Sequence, residues 1–382
     1  MKILLTTPTY PPFNSGLGNA VYMQALILKA AGHEVHIATG GTLTGSRLDE
    51  SLGLKVHEFN ITGADFLLHP IRGDVLQYQE FLKGSNFDIL ILNAWQTWST
   101  DIAIRVLSKI SGRKIVLSHG TSVNLVMKSD FWRSLVRYIL WRPYWWRMKS
   151  VMTKIDGLIF LSRDGVDSRF DDVKLARKLS LHFSVVPNAL SNSATSRLSV
   201  MPAKFTARSG FISVGSYDWA KGHDFVIRSY AKSLFKNKLP LRIFGQKFTA
   251  YTKALRSLAL ELDLQEDMIL FYEGISGKEL LDYYSSSAIF LCGSHTECQP
   301  LVLLDSMATG TPFIARATGC IPSMSGGISV SSELECAMSM NRLVSNPSDW
   351  ENYSKAGFNE ALSQYHPSKV QDLFLKAIHS VV

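Results

Sequence analysis

A chain of 382 residues, 46% hydrophobic and 19% charged, is too long for one ordinary core and too apolar for intrinsic disorder, so two folded domains are expected. Its net charge of +8 suits an anionic substrate, an anionic membrane surface or a nucleic acid without choosing between them. No stretch reaches the length of a membrane-spanning helix and no apolar run of signal-peptide length opens the sequence, so the expected address is the cytoplasm. Cys292, Cys298, Cys320 and Cys336 form neither a C-x-x-C pair nor a zinc spacing and read as reduced core or loop thiols.

Short apolar runs fall at 2–6, 35–39, 88–93, 114–119, 157–162 and 184–187, then at 210–215, 241–245, 269–274, 288–293 and 311–317, with helical stretches between them. Many are apolar at successive positions, the pattern of strands buried on both faces of a parallel sheet. Their alternation with helices predicts α/β domains with right-handed crossovers. The Ser-, Asn- and Thr-rich stretch 191–202 reads as the interdomain linker, with a first domain over 1–190 and a second over 203–363. Ligands of such sheets bind outside the carboxyl ends of the strands, so the polar and glycine residues there are the ones to weigh.

Four segments qualify. After the first strand, a loop from Tyr10 to Gly18 carries Gly16 and Gly18 ahead of a helix expected from about Asn19; glycines there let an anion approach bare N–H groups, or mark a loop with no ligand. Its Gly16-x-Gly18 is no dinucleotide fingerprint, since Val21 stands where Gly or Ala is required. His119, in Ser118-His119-Gly120-Thr121, is placed for a ligand, although a lone histidine is more often structural. Gly215-Ser216-Tyr217-Asp218-Trp219-Ala220-Lys221-Gly222 offers a lysine to a phosphate, or to solvent. The most specific segment runs from Glu297 through Pro300, Leu301 and Asp305 to Gly310. Its apolar helix has Pro300 at the expected first position, and the helix N-terminus favours a diphosphate. Asp305, an acid in that helix, needs donors, which a ribose diol or an internal salt bridge would supply.

Together these pieces resemble glycosyltransferase family 4, of the GT-B fold, over nearly the whole chain. The opening loop and Gly32-His33-Glu34-Val35 are similar to the family's start. Val186-Pro187-Asn188-Ala189 is similar to its P-N-G hinge, 215–222 to its G-R-x-x-x-x-K-G loop, 297–305 to E-x7-E, and Gly319-Cys320-Ile321-Pro322 to the loop that follows. The resemblance implies α/β architecture: two Rossmann-like doubly wound parallel-sheet domains facing a central cleft, acceptor on the first and donor on the second. A last helix, within 364–382, would cross back to the first domain, burying Leu373, Leu375 and Ile378.

It further implies a retaining transferase that takes a nucleoside-diphosphate sugar as co-substrate and needs no cofactor or metal. Glu297 would contact the donor sugar and His119 the reacting centre. Lys221, in the loop with Gly215 and Ser216, would hold the diphosphate, backbone amides at Gly16, Gly18 and Pro300–Leu301 would cradle it, and Asp305 would take the ribose. Three residues depart from the pattern. Ser216 stands for an arginine, whose charge Lys247 or Arg316 would have to replace; Asp305 stands for a glutamate and reaches about 1.5 Å less; Gln299 stands for an aromatic residue.

The expected partners are the nucleotide-sugar donor and a glycan or lipid-linked acceptor of cell-surface polysaccharide biosynthesis, with no nucleic acid. A non-catalytic sugar-nucleotide binder, supported by Ser216, and a nucleotide-sugar epimerase are the alternatives. Stretch 131–149, with Trp132, Trp141, Trp145 and Trp146 among arginines and Lys149, reads either as an anionic membrane surface contact on the inner face of the cell membrane or as a partly buried helix interrupted by Pro143.

Overall fold

The computed structural model describes residues 1–13, 15–66, 69–124 and 131–381, the side chains of Phe131 and Arg133 excepted. Two compact units emerge, one of Met1–Arg163, Ser168–Pro187 and Gln371–Val382, the other of Asp164–Asp167 and Asn188–Val370. Both are α/β and Rossmann-like.

The first unit contains β1 (Lys2–Thr6), β2 (Glu34–Gly40), β3 (Gly45–Asp49), β4 (Leu54–Phe59), β5 (Ile61–Thr62), β6 (Arg72–Gly73), β7 (Ile89–Asn93), β8 (Arg113–Ser118), β9 (Gly157–Phe160) and β10 (Ser184–Val185). Its main sheet runs β10-β9-β8-β7-β1-β2-β4-β3, parallel except where β3 folds back on β4. The apolar runs become its central strands: Ile3, Ile37, Ile89, Ile91 and Ile115 are fully buried, each stabilising by about 1.5–3 kcal/mol. The β3–β4 hairpin has no apolar run: β3, at the sheet edge, buries only Asp49, and β4 buries Leu54, Val56 and Phe59. The strand order reverses between β1 and β7, so the loops after these strands flank the switch point, where such sheets hold ligands.

The second unit contains β11 (Phe211–Val214), β12 (Leu241–Gly245), β13 (Ile269–Glu273), β14 (Ile289–Cys292), β15 (Phe313–Arg316) and β16 (Gly327–Val330), in the order β13-β12-β11-β14-β15-β16. All pair in parallel. Here the order reverses between β11 and β14, which places the loops 215–222 and 293–300 at the switch point. Phe211, Ile243, Ile289, Leu291 and Met340 anchor the core. Arg208 is buried without a carboxylate partner among the described residues; it donates instead to the Thr309 carbonyl at 2.8 Å and Thr311 Oγ1 at 2.7 Å, at the carboxyl end of the helix Leu301–Ala308. Burial lowers its guanidinium to about 10.

Two expectations about the connections change. The stretch 191–202 carries a short helix, Asn192–Arg197, capped by Ser191 and with Ala194 buried. The chain passes into the second unit earlier, at Asn188. At the other end, the helix Pro367–His379 buries Phe374, Ala377 and Ile378, while Leu373 and Leu375 stay partly exposed. Residues from Gln371 on pack in the first unit, where the Val381 side chain fills the space that glycine leaves at Gly157.

Candidate active site

In the second unit two loops cross at a pair of glycines. Gly222 has a left-handed backbone, φ 61°, and a Cβ there would lie 2.0 Å from the Gly293 carbonyl oxygen. A Cβ at Gly293 would meet the Gly222 carbonyl oxygen equally closely, at 2.0 Å. Only glycine fits either position. The contact sets the 3-10 turn Trp219–Lys221 against the loop that leads to Glu297. The His295 N–H adds a bond to the Ala220 carbonyl at 2.9 Å, and the His295 ring stacks on Trp219 at 4.1 Å.

This clasp aims Lys221 at Glu297, with Nζ 2.8 Å from Oε1. Glu297 is the more enclosed partner, its side chain 12% exposed against 36% for Lys221. Burial works against the Lys221 charge, but the Glu297 carboxylate outweighs it and holds the ammonium above its ordinary value. Gly215 leaves room for the lysine stem, since a Cβ there would press on Lys221 Cγ at 3.2 Å. Behind Glu297, Gly319 lies against the Glu297 and Cys298 carbonyls with φ 56°, and the Cys320 N–H bonds the Cys298 carbonyl at 3.1 Å.

The helix Leu301–Ala308 starts one residue later than expected, with Pro300 as its cap. Proline has no N–H to give, so the open donors are the amides of Leu301 and Val302, which find no acceptor among the described residues. Asp305, one turn further on, has no hydrogen-bond donor and no cation among the described residues, so the internal salt bridge is not formed. Burial pushes its carboxyl up to about 7. The nearby Tyr284 hydroxyl donates to the Val302 carbonyl at 3.1 Å instead.

The departures have structural counterparts. Ser216 is exposed and turns its hydroxyl to Asp218. Arg316 is engaged with its neighbours: its Nη1 donates to His295 Nδ1 at 2.9 Å, and its guanidinium lies over the Phe225 ring. Lys247 is exposed in the loop after β12 and pairs with no acid among the described residues. Gln299 accepts the Asn188 N–H at 2.6 Å through Oε1, while Asn188 Nδ2 donates to the Gln299 carbonyl at 3.2 Å. A phenylalanine ring could make no such acceptor bond.

The remaining residues singled out in the sequence lie in the first unit. The helix Gly16–Ala30 begins at Gly16, three residues before the expected start, with Ser15 as its cap. A Cβ at Gly16 would meet open space, so the protein's own packing does not require glycine there. Gly18 differs: its N–H is taken by Ser15 Oγ at 2.9 Å and its Cα faces the Thr9 carbonyl. Gly18 therefore closes the cap and has no amide left for phosphate. Asn14, in the same loop, lies outside the described residues. His119 follows a strand end fixed by Asp172, which accepts the Ser118 hydroxyl, and by the Gly120 N–H, which donates to Ser118 Oγ at 3.0 Å. Burial lowers the His119 imidazole to about 4, so it is neutral near pH 7, and its Nε2 has no partner among the described residues.

One group escaped the sequence reading. Ala94 and Gln96, after β7, have φ of 67° and 59° without being glycine, the kind of strain that accompanies functional sites. Gln96 Oε1 accepts the Ser122 N–H at 2.6 Å, its hydroxyl at 3.0 Å and the Thr121 hydroxyl at 3.3 Å. It thereby clamps the loop after His119, while the Asn93 carboxamide is buried without a partner among the described residues. The available signal was Asn93 ending a fully apolar strand.

Residues 202–356 match the family model described as glycosyl transferases group 1. The alpha-monoglucosyldiacylglycerol synthase of Streptococcus pneumoniae is 23% identical over 83% of this chain and 71% of its own length. Among solved structures, a sucrose-phosphate synthase from Thermosynechococcus elongatus superposes with a TM-score of 0.74 at 16% identity, covering 100% of this chain and 98% of the other. HepE from Anabaena, in complex with UDP, gives 0.68 at 14% identity over 100% of both chains; at these identities the structural likeness shows the fold alone. The fold is GT-B. With this match over the residues that include Lys221, Glu297 and Asp305, the protein is a glycosyltransferase that works by nucleotide-sugar glycosyl transfer. No described helix is long and apolar enough to cross a membrane.

Proposed function

We propose that the protein is a retaining family 4 glycosyltransferase that moves a sugar from a nucleoside diphosphate to a glycan or lipid-linked acceptor, without a metal ion, in building cell-surface polysaccharide or glycolipid. The observation that carries this reading is the Lys221–Glu297 pair set beside a helix N-terminus with open amides and an unpartnered Asp305. Lys221 and the amides of Leu301 and Val302 take the charge that builds on the leaving diphosphate, a preorganised field that can do the work of a cation. Asp305 accepts from the ribose, and Glu297 from the sugar hydroxyls. Neutral His119 offers a hydrogen bond to sugar or phosphate, and the Gly16 amide a contact to an anion. The acceptor oxygen bonds the anomeric carbon on the face that the phosphate oxygen leaves, and its proton passes to that oxygen. No covalent enzyme nucleophile is involved, which agrees with the only carboxylate of this loop being ion-paired.

The test is turnover of UDP-, GDP- and ADP-sugars with EDTA present, reading the anomeric configuration of the first-formed product by NMR. An inverted product, or activity lost to EDTA and restored by magnesium, overturns the corresponding part of the reading.

The exposed apolar side chains Trp132, Val136 and Ile139, spaced four and three apart on the helix Phe131–Leu140, and Trp146 on the next helix support peripheral docking on the inner face of the cell membrane. The stretch is interrupted as expected: the first helix ends at Leu140 and the second starts at Arg142, with Pro143 in its first turn. Arg137, Arg142 and Arg147 are bonded to Ser122, to the Tyr138 carbonyl and to Asp65, so apolar contact leads over charge. The name of the pneumococcal relative, a glucosyldiacylglycerol synthase, is in keeping with a lipid acceptor. Sedimentation with anionic vesicles should bring the protein down, and the double variant Trp132→Ala/Trp146→Ala should stay in the supernatant. Equal sedimentation of both proteins would refute membrane docking.

A further inference from the structure

The ion pair at 2.8 Å joins two groups that the proposed reading assigns to different parts of the donor. Lys221 belongs to the diphosphate and Glu297 to the sugar. Without donor they satisfy each other, so a phosphate that takes Lys221 must loosen its hold on Glu297. What happens next depends on whether the phosphate carries a sugar.

A bare nucleoside diphosphate offers Lys221 a strong anion but gives Glu297 nothing. It leaves an enclosed carboxylate with a weakened partner, which is costly. It also brings a terminal phosphate of higher charge toward that carboxylate, and like charges at short range repel. A sugar nucleotide presents less phosphate charge and supplies hydroxyls that donate to Glu297, replacing what Lys221 withdraws. Among the described residues Glu297 forms an ion pair with Lys221 alone, and Arg316 is turned to His295.

We propose that Glu297 makes the site discriminate the sugar-bearing donor from its nucleoside diphosphate product, by competing with phosphate for Lys221 until sugar hydroxyls release it. Once the sugar is gone the carboxylate reclaims the lysine, which favours departure of the diphosphate. The inference rests on the donor assignment above and adds a selectivity that the assignment does not require.

Dissociation constants of UDP, GDP and ADP and of the matching sugar nucleotides, measured by calorimetry on the full chain, test it. In Glu297→Gln the bare diphosphate that binds the wild type should bind about tenfold more tightly, the equivalent of 1.4 kcal/mol. The sugar nucleotide should gain nothing, and product inhibition should deepen. Glu297→Asp, which keeps the charge, should retain the wild-type ratio of the two constants more nearly than Glu297→Gln. If Lys221→Ala loses diphosphate binding while Glu297→Gln leaves the ratio unchanged, the discrimination role falls and the donor site stands. If Lys221→Ala binds as the wild type does, or no nucleotide binds, the donor assignment falls and takes this inference with it.

Discussion

Replacing Asp305 by Asn separates what its carboxylate does for the fold from what it does for a ligand. In the folded protein burial raises the carboxyl from 3.8 to about 7. Between these values the unfolded chain gives up the proton while the folded chain keeps it, so wild-type stability falls as pH climbs from about 4 to about 7 and levels off above. A rise of that size corresponds to about 4 kcal/mol. Asparagine does not titrate. Relative to wild type, Asp305→Asn should therefore gain about 4 kcal/mol of stability between pH 4 and pH 8, read from urea unfolding at one-unit steps. Binding should move the opposite way. Ribose hydroxyls donate to the ionised acid, so wild-type affinity for a sugar nucleotide should weaken about tenfold per unit below pH 7, a dependence the variant lacks. A stability difference that stays constant across this range would refute the burial argument. PH-independent wild-type binding equal to that of Asp305→Asn would refute the ribose contact.

Gly222→Ala must accommodate both a left-handed backbone and a Cβ 2.0 Å from the Gly293 oxygen; a loss of about 2–4 kcal/mol is expected in chemical denaturation, with donor binding lost as Lys221 is displaced. Gln299→Ala leaves the Asn188 N–H without its acceptor and should cost about 1–3 kcal/mol by the same measurement, with Gln299→Glu recovering most of it. Arg208→Met strips the Thr309 and Thr311 oxygens of their donor and should lower stability by about 2–3 kcal/mol without changing the donor's KM.

The central strands were legible because burial on both faces demands continuous apolar runs, and every run from 2–6 to 311–317 lies on a strand of one of the two sheets. Three further strands were not: β3 is Gly-Ser-Arg-Leu-Asp, β4 mixes Lys55, His57 and Glu58 with its apolar residues, and β16 offers only Ile328 and Val330. In the site, Lys221 and Glu297 were named singly, but their pairing depends on a glycine crossing between segments 71 residues apart in sequence, 222 and 293, which no local pattern encodes. Gln96 was missed because its left-handed backbone is held by tertiary contacts, where glycine would have announced it. Gln299 looked like a lost aromatic, whereas its bonds to Asn188 give it a different task. The stretch 191–202 looked like linker by composition, yet the same serines that mark loops also cap helices.

All four cysteines are buried and free of disulfides, and burial holds the thiols of Cys292, Cys320 and Cys336 at about 11 to 12. Since thiolates are what maleimides attack, the native chain should take up dye slowly. A cysteine introduced at an exposed position such as Lys247 would then be the preferred point of attachment. Fluorescent reporters could be fixed beside the donor loop without first stripping the protein of its own sulfur.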